Sequence, residues 1–325
     1  MGLITAWLLT IVAAIIPIAN SDSNTRDVGS YNYNSNGNFQ THQQYYNFYD
    51  QNTKENNIEY ESWNLAPSNH TYSYREEDEF GPSNWGALSG SCDGLFQSPV
   101  NLAVSRSLFV RKKRPLELVG LYSRPARITV LNENGSAVYF LEYRSEDHPR
   151  LRGGPLRVDY VFFQFHYHLG SEHSLEGKRS AAELHLVFYN SLYESFDAAR
   201  NQVDGVAVIA LLYDVLKTGR IEAMNKWTRY LGKVVEEGHD YSVPVYGLFS
   251  LGDVMRTSAW PYFSYEGSLT TPPCSETVQW IVATERLVLT MSELKKMRQL
   301  KGRGSEWVLN SRPSQALNYR RVFLY

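Results

Sequence analysis

The stretch from Phe163 to Asn190 constrains the fold most, because histidines recur in it at strand spacing. His166 and His168 are two residues apart, so on a β-strand both side chains point to one face. His185 lies in a second alternating run, AELHLVF, and Glu176-Gly177-Lys178 between the runs is typical of a turn. If the two runs pair as neighbouring strands, three imidazoles converge on one point.

The types of residue in this stretch are typical of a catalytic zinc site. Structural zinc is closed by four protein ligands, whereas catalytic zinc keeps three and leaves the fourth position to water. Gln164 shares a face with His166 and Glu183 shares one with His185, so each is predicted to accept the outer N–H of its histidine. A lone His-x-His pair more often packs or faces solvent, and the third histidine is what favours metal binding.

The first 21 residues have the pattern of a signal peptide. Leu3 to Ile18 is an apolar run too short for a comfortable membrane span, and Ala19-Asn20-Ser21 offers small residues for cleavage. The leader has no Lys or Arg before its apolar core, which leaves an uncleaved anchor as the alternative. We expect a secreted, extracellular protein without stable membrane insertion.

Cysteines, sequons and charge add to this expectation. The chain has two cysteines, Cys92 and Cys274, and in an exported chain a single pair predicts a disulfide bond, with two buried thiols as the alternative. Asn69 and Asn134 begin sequons and are candidate glycosylation sites, which would make the protein a glycoprotein. The formal net charge of −2 argues against a nucleic-acid partner.

Residues 22–71 differ in composition from the remainder. They are rich in Asn, Tyr, Gln and Ser and have almost no Leu, Ile or Val. Too little apolar surface is present to offset the entropy of ordering, so this tail is predicted to be disordered. Its polar-aromatic bias favours self-association or binding to a matrix or mineral, with an inert spacer as the alternative.

Residues 72–325 are predicted to form one domain with a single core. Short β-rich runs dominate it: Ala126–Leu131, Ala137–Tyr143, Tyr160–Leu169, Glu183–Tyr189, Gly205–Leu212 and Thr277–Val282. Thr290 and Glu293 form a capping box that predicts a helix ended by Gly302, and Ile221 to Leu231 suggests a second helix. Strands that outnumber helices without regular alternation favour a mainly antiparallel sheet.

Six ordered segments resemble the motifs of the α-carbonic anhydrases and span nearly all of residues 74–325. They are GPSNW at 81–85, QSPVNL at 97–102, GGPL at 153–156, the histidine stretch, EGSLTTPPCSETVQWIV at 266–282 and NSRPSQALNYR at 310–320. The resemblance implies a mainly β domain: a large, twisted, mostly antiparallel mixed sheet with a few short peripheral helices. It also implies a lyase that reversibly hydrates CO2 to bicarbonate and a proton through zinc-bound hydroxide.

The resemblance implies a role for each matching residue. His166, His168 and His185 would ligate Zn²⁺, and the residues that orient them would be Gln164, Glu183 and the backbone carbonyl of Asn310. Thr270 would accept a hydrogen bond from the hydroxide and donate its own proton to Glu172, since an ionised carboxylate can only accept. The substrate pocket would be lined by Val187, Val208, Leu269, Thr271 and Trp280.

The resemblance also implies ligands and backbone features. Sulfonamide-type and anionic inhibitors would bind at the zinc. Cys92 and Cys274 fall where secreted members of the family carry a disulfide. Ser98-Pro99 and Pro272-Pro273 match two positions that have cis peptide bonds.

Three departures from the family pattern affect the expected chemistry. Ser136 stands where the fastest members have a histidine that relays protons, which predicts slow or buffer-dependent proton transfer. A glycan on Asn134 would lie near the rim of the cavity. The loop between His168 and Glu172 is shorter than usual, and Leu169 replaces a common tryptophan.

Two other functions compete with the enzyme. One is a carbonic-anhydrase-like secreted binding or matrix module with little catalysis, whose tail is the working part. The other is a zinc hydrolase of peptides or esters, but the chain lacks an H-E-x-x-H motif. Retention of all three histidines together with Thr270 and Glu172 favours the carbonic anhydrase.

Overall fold

The histidine stretch forms two neighbouring strands of a large sheet in the computed structural model of the chain. The structure describes residues 72–111, 114–216, 226–245, 249–255, 261–303, 307 and 309–325. The predicted signal peptide, the predicted tail and residues 221–225 of the helix suggested between Ile221 and Leu231 lie outside these residues.

The described strands are short or of medium length, and the helices are few. The strands are β1 (Asn101–Leu102), β2 (Leu108–Phe109), β3 (Leu116–Val119), β4 (Arg127–Glu133), β5 (Ser136–Glu142), β6 (Arg150–Gly153), β7 (Tyr160–Leu169), β8 (Ser174–Leu175), β9 (Lys178–Arg179), β10 (Ala182–Asn190), β11 (Val206–Leu216), β12 (Asp240–Pro244), β13 (Tyr262–Gly267), β14 (Val278–Thr290) and β15 (Phe323–Leu324). The α-helices are α1 (Trp85–Leu88), α2 (Phe196–Ala199) and α3 (Met291–Met297). Single turns of 3-10 helix occur at Pro82–Asn84, Gly90–Asp93, Val104–Arg106, Ser145–Asp147, Leu231–Lys233 and Leu251–Asp253.

Twelve of the described strands form one mixed sheet. Its main path runs β12-β4-β5-β7-β10-β11-β14-β13-β15-β2, and β6 joins β3 to β7. Neighbouring strands are antiparallel except for the β11–β14 and β15–β2 pairs. The strands β1, β8 and β9 form a small second sheet. The predicted fold, mainly β with a large mixed sheet and few short helices, is confirmed.

Strand alternation separates the core from the site. On β10, Leu184 and Leu186 are fully buried in the larger apolar cluster, whereas Glu183 and His185 lie on the opposite face of the strand. The same alternation on β7 puts Phe165 into that cluster and the histidines on the other face. The sheet therefore holds the site on one face by packing its other face into the core.

Helix α3 begins as predicted but ends early. Thr290 and Glu293 make both hydrogen bonds of the capping box. The prediction that Gly302 ends the helix was wrong, since the helix ends at Met297. Beyond the helix the backbone has another partner, with Lys301 N donating to Val235 O at 2.9 Å.

Candidate active site

The pairing of β7 with β10 brings the three histidines together. His185 lies directly opposite His166, and His168 follows two residues later on the same face. One ring nitrogen of each histidine lies within 4.8 Å of the others, and His166 Nε2 and His168 Nε2 are 3.1 Å apart. This arrangement has the geometry of a three-histidine metal centre.

The opposite ring nitrogen of each histidine is held by an acceptor. His166 Nδ1 donates to Gln164 Oε1 at 2.9 Å, and His185 Nε2 donates to Glu183 Oε1 at 2.7 Å. His168 Nδ1 donates to the backbone carbonyl of Asn310 at 2.5 Å. A histidine that donates from one nitrogen presents a lone pair on the other, so these contacts aim three lone pairs at one point.

Burial favours the neutral form of His166 and His168. Burial lowers the pKa of His166 well below its usual value, and the neighbouring His168 and His185 lower it further. The pKa of His168 is also lowered, mainly by burial. Neutral imidazole is the form that binds a metal, so the donor set fits a zinc ion.

Glu183 belongs to a buried chain of hydrogen bonds. His173 Nδ1 donates to Glu183 Oε1 at 2.6 Å, and Tyr265 OH donates to His173 Nε2 at 2.6 Å. Burial alone would raise the pKa of Glu183, but His173 and His185 hold it well below its usual value. A carboxylate that stays ionised orients His185 firmly. Sequence reasoning missed Tyr265, which no local pattern links to the histidines.

Glu172 is buried beside the histidines with one oxygen unsatisfied. Its Oε1 accepts from the backbone N–H of Arg312 at 2.8 Å. Its Oε2 has no hydrogen-bond partner among the described residues and lies 3.5 Å from His168 Nε2. A buried carboxylate oxygen without a hydrogen-bond donor costs folding free energy, so this oxygen is available to accept a hydrogen bond in the working site. Thr270, predicted to donate to this oxygen, is also buried but makes no hydrogen bond with it in this structure.

The buried Arg312 fixes the segment that carries Asn310. Its Nη1 donates to Gln97 Oε1 at 2.8 Å and to Ser98 O at 2.9 Å, and its Nη2 donates to Cys92 O at 3.2 Å. The motif NSRPSQALNYR contains this arginine, but sequence reasoning gave it no role. Its partners lie more than 200 residues away in the chain, beyond the reach of any local pattern.

One side of the histidine cluster is apolar. Val187 on β10 pairs with Val208 on β11, which in turn pairs with Trp280 on β14. These three residues and Leu269 are buried in the smaller apolar cluster, and the Trp280 ring lies 4.9 Å from the His185 ring. Thr271, the remaining predicted pocket residue, is half-buried in the loop after Leu269.

The β4–β5 turn carries the other departures from the family pattern. Ser136 is buried and its hydroxyl donates to Tyr167 O at 2.8 Å. Asn134 is 8% exposed, and its amide nitrogen donates to Tyr72 O at 3.3 Å. That nitrogen is the atom a glycan would need, so this conformation does not present the sequon for glycosylation. Asn69 lies outside the described residues.

The short loop after His168 is supported by Asn310. Leu169 ends β7, is buried in the larger apolar cluster, and its N–H donates to Asn310 Oδ1 at 2.6 Å. Gly170 then turns the chain at a φ of 71°, a conformation that favours glycine. The side chain of Asn310 thus supports the loop while its carbonyl holds His168.

The disulfide between Cys92 and Cys274 is present, and both predicted cis peptide bonds are found, at Ser98-Pro99 and Pro272-Pro273. Among the described residues, the helices are too short or too polar to cross a membrane.

Comparison with known proteins identifies the family. The model for eukaryotic-type carbonic anhydrase matches residues 80–325. The chain belongs to this family. Carbonic anhydrase 7 of Homo sapiens is 34% identical over 266 residues, which cover 78% of this chain and 96% of the relative. Carbonic anhydrase 3 of Bos taurus is 32% identical over 257 residues, covering 75% and 95%. The chain is therefore an enzyme of a zinc-dependent family whose substrates are CO2 and bicarbonate.

The comparisons correct the predicted localisation. The prediction of a secreted, extracellular protein was wrong, because carbonic anhydrases 7 and 3, two of the relatives that match, are cytosolic enzymes. The leader and tail on which that prediction depended precede residue 80, where the family match begins.

Proposed function

We propose that this carbonic anhydrase hydrates CO2 reversibly to bicarbonate and a proton, with zinc held by His166, His168 and His185. The convergence of three imidazoles, each held by an acceptor on its outer nitrogen, supports this proposal most strongly. Zinc would supply the nucleophile by acidifying a water molecule, a role for which carbonic anhydrase is itself the best-known case.

Thr270 and Glu172 orient the attacking group. Glu172 Oε2 can only accept and has no partner among the described residues, so in the zinc-loaded enzyme the Thr270 hydroxyl would donate its proton there. The threonine oxygen is then left as an acceptor for the attacking water oxygen, whose lone pair faces the substrate. Arg312 supports this arrangement because its backbone N–H occupies the other carboxylate oxygen.

Val187, Val208, Leu269 and Trp280 form the apolar side on which CO2 rests, and Thr271 borders its polar edge. CO2 is uncharged, so this surface needs to position the molecule and not to bind a charge. Sulfonamide-type and anionic inhibitors compete at the metal position, where the backbone N–H of Thr270 offers a further donor.

Proton release is the slow step of this enzyme. Ser136 has no ionisable group at neutral pH, and its hydroxyl is already bonded to Tyr167 O. Proton transfer is therefore slower than with a histidine at this position and is accelerated by a small basic buffer.

Stopped-flow CO2 hydration with zinc analysis tests the proposal. We expect one zinc per chain and a hydration rate that rises with imidazole concentration. His185→Ala should lose both zinc and hydration. His148→Gln is the matched control, because its ring is bonded to Phe162 O away from the site, and it should keep both. A chain that binds one zinc but shows no hydration at any imidazole concentration would contradict the proposal.

A further inference from the structure

Glu133, a carboxylate with no role in the site described above, lies on the face of the sheet that bears the histidines. It ends β4 and pairs with Ser136 across the two-residue turn Asn134-Gly135. Directly opposed residues of an antiparallel pair share a face. Val138, two residues after Ser136 on β5, pairs with His166 and therefore defines that face as the histidine face.

The turn beside Glu133 is bonded to the residue that holds His168. Asn310 Nδ2 donates to Gly135 O at 3.3 Å, and the carbonyl of Asn310 accepts from His168 at 2.5 Å. Glu133 is on β4, two strands from His168 on β7. Neighbouring strands are about 4.8 Å apart, so the two backbones are separated by roughly 10 Å. A chain of two or three water molecules covers that distance.

The surroundings of Glu133 bring the pKa of its carboxyl group close to neutral pH. Burial, and then repulsion from Glu237, raises the pKa of Glu133 to about 7. Tyr72 and Tyr74 interact electrostatically with both Glu133 and Glu172, and burial raises their pKa values, so they stay neutral. Glu133 is thus a described group on this side of the site whose charge changes near pH 7.

Three other titratable residues near the turn, among those the structure describes, contact it through backbone atoms or are paired. Arg303 donates its backbone N–H to Asn134 Oδ1 at 3.1 Å, and His239 accepts through its carbonyl from Asn132 N at 2.9 Å. Lys301 forms an ion pair with Glu236 at 2.6 Å.

We propose that Glu133 relays the reaction's proton between the metal centre and solvent. This inference depends on the proposed function. Hydration of CO2 releases one proton, which the Glu133 carboxylate takes up through water to become a neutral carboxylic acid. The acid then gives the proton to a buffer base and regains its charge, and dehydration runs the same steps in reverse. A proton acceptor works best with a pKa near the operating pH, as here.

Exchange of ¹⁸O between CO2 and water, followed in the full zinc-loaded chain, separates the chemical step from the proton-transfer step. One rate reports interconversion of CO2 and bicarbonate, and the other reports release of labelled water, which requires proton transfer. In Glu133→Gln we expect interconversion within about twofold of wild type but water release slower by about 10-fold or more, restored by imidazole. Glu142→Gln, at the far end of the same hairpin and paired with Arg127, should change neither rate.

Two further measurements separate a relay from a structural role. Glu237→Gln removes the repulsion, so the pH profile of water release should move to lower pH without loss of its maximum. In the metal-free protein, ¹³C NMR should show a carboxyl group that titrates near pH 7 and is absent from Glu133→Gln.

Three outcomes would overturn the relay. In the first, water release is unchanged in Glu133→Gln while interconversion is normal. In the second, His239→Ala and not Glu133→Gln abolishes release. Absence of interconversion in the wild type would overturn both the proposed function and the relay that depends on it.

Discussion

At the scale of single residues, Glu172 separates this site from a simple metal-binding cluster. Glu172→Gln keeps the bond from Arg312 N to Oε1 but replaces Oε2 with an amide that donates. The Thr270 proton then has no acceptor, and the attacking group loses its orientation. We expect CO2 hydration to fall by about 100-fold or more with zinc content unchanged. Stopped-flow rates and metal analysis check this, and wild-type hydration in the variant would contradict the role of Glu172.

The raised pKa of Glu133 leads to a separate prediction about the pH dependence of stability. Its pKa is about 7 in the folded chain against the usual 4.5, so the folded state binds more protons between these values. The free energy of unfolding should therefore fall as pH rises from 4.5 to 7. Glu133→Gln removes this loss and should be more stable than wild type at pH 8 by about 1–3 kcal/mol, but not at pH 4. Urea denaturation at both pH values measures the difference, and an equal difference at both would contradict the assigned pKa.

The sequence predicts the histidine cluster well because its cause is local. The spacing of two residues places His166 and His168 on one face, and antiparallel pairing of the two neighbouring runs brings His185 opposite His166. The supporting contacts are different in kind. Arg312 reaches Ser98 and Cys92, and Tyr265 reaches His173, over separations of 92 to 220 residues. Periodicity cannot reveal such partners, because they depend on how distant segments meet.

At the scale of elements, the capped helix offers a test away from the site. Thr290 Oγ1 accepts from Glu293 N at 3.2 Å, and Glu293 Oε2 accepts from Thr290 N at 2.7 Å. Thr290→Ala removes one of these bonds and should lower the free energy of unfolding by about 1 kcal/mol. CO2 hydration should be unchanged. Chemical denaturation checks the first expectation, and an unaltered stability would show that the cap is dispensable.

The strands were predicted more accurately in position than in length. All six β-rich runs became strands, but β11 continues to Leu216 and β14 to Thr290. These two strands extend because they pair with each other in parallel beyond an irregularity after Ala210. Two-residue strands such as β2 and β15 are too short to show an alternating sequence pattern. They are strands only because they pair with a neighbour in the folded sheet.

At the scale of the whole molecule, the disulfide links the start of the domain to the loop after Thr270. It joins residues 182 positions apart, and Cys274 N donates to Thr271 O at 2.8 Å. Replacing Cys92 and Cys274 together with serine should lower the free energy of unfolding by about 2–5 kcal/mol. Denaturation of both proteins under non-reducing conditions measures this. Equal stability would show that the bridge does not constrain the unfolded chain.

The central claim is that zinc on the three histidines drives CO2 hydration by this chain. The most direct test follows the stopped-flow hydration rate of the full chain as zinc is removed by a chelator and then returned. We predict that hydration falls to the uncatalysed rate and recovers fully with one equivalent of zinc, and that His168→Ala does not recover. Hydration that persists without zinc, or that fails to return when one zinc is bound, would contradict the claim.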